Sequence, residues 1–275
     1  MSEPAIKSMN LYSEVNRVYN DLRSVGINDG DAIPVEVLSQ FDQYHYHGTK
    51  AVDQAIAEAG INTSSTVLDV GAGIGGPARY LAHKTGCKVV ALELQEDLNQ
   101  VGQDLTNRCG MAEHVQHLCG DALQEVFADD TFDAVVSWLC LYHIPDHKKL
   151  FSKLSQPLKS GGVLYAEDLF SLGEFTRSER HELETMLFGN SVHSRENYIA
   201  NVEQAGFSSV QFDDQTDDWC QFVDIRIKAH VANFESYSQI HSPEMAETIK
   251  IFYDSVSGLF NGGNLGGVRV KAVKG

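Results

Sequence analysis

The stretch at residues 67–76, VLDVGAGIGG, places glycines at 71, 73 and 75 directly after an apolar burst that contains Asp69. Glycine there permits a tight turn and lets a ligand approach backbone that a Cβ would block, while the following helix presents its N-terminus. Dinucleotide folds use G-x-G-x-x-G, whereas this chain has G-x-G-x-G. Two acids follow in order. Glu93 ends the next apolar run, where a carboxylate can accept hydrogen bonds from both hydroxyls of a ribose. Asp121, in CGDAL, stands where a carboxylate meets an adenine amino group. The chemistry these residues offer together is the holding of a nucleoside. Further on, SWLCLYH at 137–143 ends in His143, and an imidazole near neutral pKa can take a proton from an amine or hydroxyl. A helix-capping or packing role for His143 stays open. No H-E-x-x-H and no clustered Cys/His spacing is present, so no metal is expected.

From residue 43 to 213 the chain resembles the class I S-adenosylmethionine-dependent methyltransferases. The resemblance implies that Asp69, Gly71, Gly73 and Gly75 pass under the adenosyl and methionyl parts of the cofactor. Glu93 with Leu94 would hold the ribose, and Asp121 with Ala122 the adenine. Trp138 and Leu139 would line the cofactor beneath the donor methyl group, with His143 facing the acceptor. In FDQYHYHGT at 41–49, the family's Y-x-x-x-G segment falls on Tyr44, His47 and Gly48, and tyrosine faces suit a cationic sulfonium. Packing of a lid on the sheet is the alternative for that cluster. GIGGPARYLA and DDWCQFV look like sarcosine/dimethylglycine and phosphoethanolamine N-methyltransferases, and the phosphobase enzymes pair a lid tyrosine with the histidine after the fourth strand. Tyr19 and His143 could play those catalytic parts, and Tyr12 is a further lid and acceptor candidate. The acceptor wall would come from Glu167, Asp168, Phe170, Arg177, Met186 and residues 193–198. Glu167 and Asp168 would favour an amine, against a strand-end and helix-cap reading. Arg195 and Arg177 could hold an anionic tail, against a reading as solvated helix arginines. Trp219, Phe222 and Tyr237 read as core rather than as an aromatic cage.

Elements must place these residues. Residues 66–70, 88–94, 115–118, 132–137, 162–168 and 210–213 read as strands, with helices at 50–59, 77–84, 97–109, 148–158 and 194–207. Such alternation implies right-handed crossovers and an α/β, doubly wound parallel sheet. The resemblance makes it a mostly parallel seven-stranded sheet of Rossmann-like methyltransferase type, with an N-terminal helical lid and helical insertions. Residues 1–50 read as the lid and 51–275 as the cofactor-binding domain. The latter carries an acceptor-side insertion near 170–195 and C-terminal helices over 217–260. Residues 266–273, GGVRVKAV, alternate like an edge strand.

A length of 275 residues suits one core with an elaboration. With 21 Lys plus Arg against 38 Asp plus Glu, the formal charge of -17 disfavours nucleic-acid and anionic-membrane partners. Five scattered cysteines without C-x-x-C read as reduced thiols in a cytoplasmic protein. The start, MSEPAIKSMNLYSEV, lacks the basic and apolar regions of a secretory signal, and no stretch is long and apolar enough to span a membrane. A homodimer is left open. The expected activity is S-adenosylmethionine-dependent methyl transfer to a small molecule, an amine nitrogen first. The alternatives are an O-methyltransferase of a phenol or carboxylate, a C-methyltransferase of a sterol or quinone head group, and a cofactor-binding regulator without catalysis.

Overall fold

The computed structural model describes residues 14–275. The TVLDV burst forms strand β1 (Thr66–Val70), and its last four residues are buried because helices cover both faces. β2 (Lys88–Glu93), β3 (Val115–Cys119), β4 (Phe132–Trp138), β5 (Leu158–Ser171), β6 (Phe207–Asp214) and β7 (Leu265–Lys274) complete one seven-stranded sheet in the order β3-β2-β1-β4-β5-β7-β6. β1 to β5 pair in parallel, and β7 runs antiparallel to both β5 and β6.

Crossover helices join the parallel strands. α1 (Arg17–Ser24), α2 (Val35–Leu38) and α3 (Thr49–Ala59) precede β1; α4 (Gly76–Thr85) and α5 (Glu96–Arg108) follow β1 and β2; α6 (His147–Ser155) follows β4. Side-chain alternation in β1 sends Val67 to a core with Ala78 and Leu81 of α4, and Leu68 and Val70 to the opposite core with Leu150, Phe151 and Leu154 of α6. α7 (Arg177–Glu182) and the π-helical turn Leu183–Leu187 lie over the sheet edge, and α8 (Arg195–Gln204) returns the chain to β6. The C-terminal helical stretch is three helices: α9 (Thr216–Ala232), α10 (Phe234–Ile240) and α11 (Pro243–Asn261). Pro243 at the first turn of α11, with the Ser242 hydroxyl accepting from Met245 N at 3.1 Å, forces the break before α11.

The edge-strand expectation for residues 266–273 is corrected: β7 lies inside the sheet, and β6 is the edge. Its alternating pattern reports a face that is only half covered towards the C-terminal end. At its start the strand slides beneath Trp219, so a Cβ on Gly267 would lie 2.1 Å from the indole ring. The N-terminal helices pack Val18, Leu22, Ile33 and Leu38 against Ile74 and against Leu98, Val101 and Leu105 of α5. A fully buried ion pair, Arg79 Nη2 to Asp42 Oδ2 at 3.0 Å, ties the segment before α3 to α4.

Candidate active site

In an open α/β sheet the ligand crevice opens where adjacent strands send their connections to opposite sides, here between β1 and β4. The turns leaving these strands nearly touch. A Cβ on Gly71 would lie 2.0 Å from Cys140 Sγ, so only glycine lets the two loops meet. A Cβ on Gly73, at φ +55°, would meet nothing within 4 Å, because it would project into the crevice. Leu139 also holds a left-handed φ of 52°, a strained position kept by its amide donating to Glu167 O at 2.7 Å.

Two cavities share Gly71 and Gly73 as a common wall. The first, about 580 Å³ with open solvent at its mouth, is lined by Leu94, Leu98, Ala122 and Ile144, with Glu93 and Asp121 as its acids. This is an apolar slot with carboxylates placed for polar edges. Glu93 Oε2 accepts from Gly73 N at 2.8 Å and Oε1 from Gln95 N at 2.9 Å, which fixes the carboxylate and leaves lone pairs towards the slot. Burial nonetheless holds its pKa above the usual carboxylate range, opposed by those amides. Asp121 Oδ1 accepts from Leu123 N at 2.8 Å, an Asx turn that orients the side chain.

The second cavity, about 810 Å³ on the same measure, is walled by Asp69, Tyr44, His45, Tyr46, Trp138 and Leu139. Tyr142 and Leu169 extend that wall, with Leu187, Arg226, Phe252 and Tyr253 arriving from the insertion and the C-terminal helices. Asp69 is 1% exposed, and its Oδ2 has no hydrogen-bond partner among the described residues. Burial, with the Glu93 charge adding to it, pushes this carboxyl up to about 8. An unpaired buried carboxylate beside a nucleoside-shaped slot is what the ammonium of a methionyl group would satisfy. The Trp138 indole N–H is likewise buried without a partner. Both orphans fit a bound S-adenosylmethionine.

Residues 138–143 straddle the divide. Trp138, Leu139 and Tyr142 line the second cavity, whereas Cys140 and His143 line the first, so the expectation that His143 faces the acceptor is corrected: the turn sends its ring to the nucleoside side and leaves Tyr142 on the other. His143 is 3% exposed, and its Nδ1 lies 3.2 Å from Phe188 O. A carbonyl only accepts, so Nδ1 carries the proton and Nε2 is the basic nitrogen. Burial lowers the imidazole to about 4, partly opposed by that carbonyl, so the ring is neutral at pH 7. His45, with its Nε2 3.0 Å from Gly48 O and also lowered to about 4 by burial, stands against Trp138 with ring centroids 5.6 Å apart.

Several sequence candidates fall elsewhere. Tyr19 donates to Asp104 Oδ2 at 2.8 Å on α5 and lines neither cavity, so the structure does not bring it to His143. Tyr12 lies outside the described residues. His47 turns outward to Asp218 at 2.6 Å and Phe222, and Gly48 caps α3; in that segment Tyr44, His45 and Tyr46 are the residues that face the cavity. Gly75 packs against His117 and Arg79 behind the turn. Glu167 pairs with Arg269 at 3.0 Å, and Asp168 accepts from Tyr142 N at 3.0 Å and the Tyr198 hydroxyl at 3.1 Å, so both sit behind the cavity wall. Through that bond Asp168, raised to about 7 by burial, positions the 138–143 turn. Arg195 and Arg177 are exposed, and the Arg195 guanidinium lies 5.0 Å over Phe212. Trp219 is core, as expected. Arg226, Phe252 and Tyr253 carried no local signature in the sequence. Tyr142 did, as the neighbour of His143.

A methyltransferase domain family matches residues 68–166. The sarcosine/dimethylglycine N-methyltransferase of Halorhodospira halochloris is 32% identical over 213 residues, which are 75% of this chain and 73% of that protein. A sterol 24-C-methyltransferase of Eremothecium gossypii is 34% identical over 45% of this chain, and the match spans only 32% of its own length. Among solved structures, a Haemonchus contortus phosphoethanolamine N-methyltransferase 2, in complex with phosphomonomethylethanolamine and S-adenosylhomocysteine, superposes with a TM-score of 0.83 at 19% identity. That superposition covers all of this chain and 60% of the other.

Proposed function

The chain belongs to the S-adenosylmethionine-dependent methyltransferases, and on that premise we propose that its acceptor is the nitrogen of a small amine. S-adenosylmethionine supplies an electrophilic methyl group for in-line transfer. The observation that carries the amine reading is the ring-lined second cavity, in which Tyr44, Tyr46, Trp138, Tyr142 and Tyr253 converge. Aromatic faces attract an alkylammonium, and that attraction persists as methylation creates positive charge on nitrogen. Similarity to an enzyme named for sarcosine and dimethylglycine supports the same reading.

Within that reading Glu93 accepts the ribose hydroxyls, Asp121 reads the adenine, and Asp69 takes the methionyl ammonium. His143 lines the nucleoside slot and not the acceptor cavity, so the proton that the amine must lose before its lone pair can attack reaches His143 Nε2 by relay past Tyr142, whose ring lies 3.9 Å from the imidazole. Residues 14–50 act as the lid that excludes water, locked to α4 by the Arg79–Asp42 pair. A charge of -17 and five free cysteines support small-molecule rather than nucleic-acid partners and a cytoplasmic setting. No helix among the described residues is long and apolar enough to cross a membrane.

The apolar strip Leu139, Leu169, Leu187 and Phe252 supports a second reading, C-methylation of a sterol-like acceptor. Incubation with S-adenosylmethionine and a panel of sarcosine, dimethylglycine, ethanolamine, phosphoethanolamine, a sterol and a phenol, read by mass spectrometry, separates the two. Mass gains on amines are expected. Methylation of the sterol or phenol alone would overturn the amine reading.

A further inference from the structure

We propose that Arg226 and Arg17 form an oxyanion-binding subsite at the far end of the acceptor cavity, so that the amine acceptor carries a carboxylate or phosphate tail. This deepens the amine reading above and rests on it. Arg226, half-buried on α9, lines the acceptor cavity and also a second hollow of about 960 Å³ that continues from it, with Tyr44 and Tyr253 shared between the two. Arg17, on α1, lines that hollow too, together with His230 of α9 and Tyr237 of α10. The two cations therefore come from opposite ends of the chain to one space.

Their partners are aromatic. The Arg17 guanidinium is stacked 4.2 Å from the Tyr44 ring centroid, and that of Arg226 lies 4.9 Å from Phe222 and 5.6 Å from Tyr253. Among the described residues neither has a carboxylate within ion-pairing distance. In a chain with 38 acids to 21 Lys plus Arg, unpaired arginines are not a consequence of scarce partners. Asp21 also lines the hollow, but its carboxylate is engaged by His241 Nε2 at 2.9 Å. Arg17 is only 8% exposed, and burying a guanidinium without a counter-ion is costly unless a ligand supplies one. Planar guanidinium forks match carboxylate and phosphate oxygens in bidentate geometry, and ring stacking orients them before the ligand arrives. The tail is thus held beyond Tyr44 and Tyr253 while the amine end reaches the turn at 138–143.

The first arm of the test needs no turnover. The chain saturated with S-adenosylhomocysteine is titrated with inorganic phosphate and, separately, with acetate, by calorimetry. Binding of at least one anion is expected, weakened tenfold or more in Arg226→Gln and partly restored in Arg226→Lys; Arg17→Gln, at the more buried site, is scored only if its thermal unfolding remains cooperative. No anion binding by the unaltered chain, or equal binding in Arg226→Gln, overturns the subsite. The second arm compares kcat/KM for sarcosine against N-methylethanolamine and for phosphoethanolamine against ethanolamine, which also tells carboxylate from phosphate. Arg226→Gln is expected to reduce the preferred anion's advantage at least tenfold. An unchanged ratio refutes the subsite. If no amine is methylated by any variant, the amine reading fails while the titration still decides whether the anion site exists.

Discussion

Replacing Asp69 by Asn should stabilise the ligand-free protein and cripple cofactor binding, with both effects traceable to one buried oxygen. The carboxyl stands at about 8 in the folded chain against an ordinary 3.8. A group whose folded pKa is raised contributes stability that is fully present below the unfolded value and lost as pH rises towards the folded one. Most of the difference between those values is expressed at pH 7, a cost on the order of 4 kcal/mol, and only about 2 kcal/mol at pH 5. An amide of the same shape carries no such charge. Thermal unfolding of the ligand-free chain should therefore show Asp69→Asn more stable, by roughly 10 °C at pH 7 for a chain of this size and by a few degrees at pH 5. In calorimetry the same variant should bind S-adenosylhomocysteine at least ~30-fold more weakly, because the amide oxygen can accept from the ammonium but carries no negative charge to neutralise it. The unaltered chain should release up to one proton on binding near pH 7, seen as a buffer-dependent enthalpy, and the variant should not. A stability difference that is the same at every pH, or normal binding by the variant, would refute the reasoning.

Gly71→Ala forces a Cβ to within 2.0 Å of Cys140 Sγ and 2.5 Å of its Cβ in a left-handed turn, so cofactor affinity should fall tenfold or more, and adding Cys140→Gly, which removes both atoms, should restore part of it; no loss in the single variant sinks the close-approach argument. His143→Ala should lower kcat by about 10²-fold under saturating cofactor, and, because the ring lines the nucleoside slot, should also weaken cofactor binding. Since the folded imidazole titrates at about 4, the acid limb of the unaltered enzyme that belongs to this group should lie below pH 5, and full turnover by the variant at every pH removes the base role. Asp42→Ala leaves Arg79 buried and unpaired and should cost about 3–5 kcal/mol in urea unfolding; a loss under 1 kcal/mol would mean that the pair does not lock the N-terminal segment.

The cofactor half of the site was legible because its signals are local. A strand, a glycine turn and an acid at the end of the following strand occupy one βαβ unit, so their spacing in the chain is their spacing in the fold. Glu93, Asp121, Gly71 and Gly73 all line the predicted nucleoside slot. The acceptor half is built from contacts that no local period records. His47 and Tyr46 are adjacent, yet Tyr46 faces the cavity and His47 faces Asp218, because a left-handed residue at 47 turns the chain there. Tyr19 has helical spacing that places it on a lid helix, but only packing against α5 decides that its hydroxyl meets Asp104 instead of the cleft.

What the sequence by itself determined is the class: alternating buried strands and helices, a glycine turn followed in order by two acids, and an acidic composition. What only the tertiary structure decided is which side chains meet across long separations. It threaded β7 between β5 and β6, where a half-covered face had mimicked an edge, and buried Glu167 and Asp168 behind the wall. It also delivered Arg226, rather than Arg195, to the second cavity. The physical reason is that hydrophobic periodicity reports which face of an element is buried, whereas a site requires knowing against what.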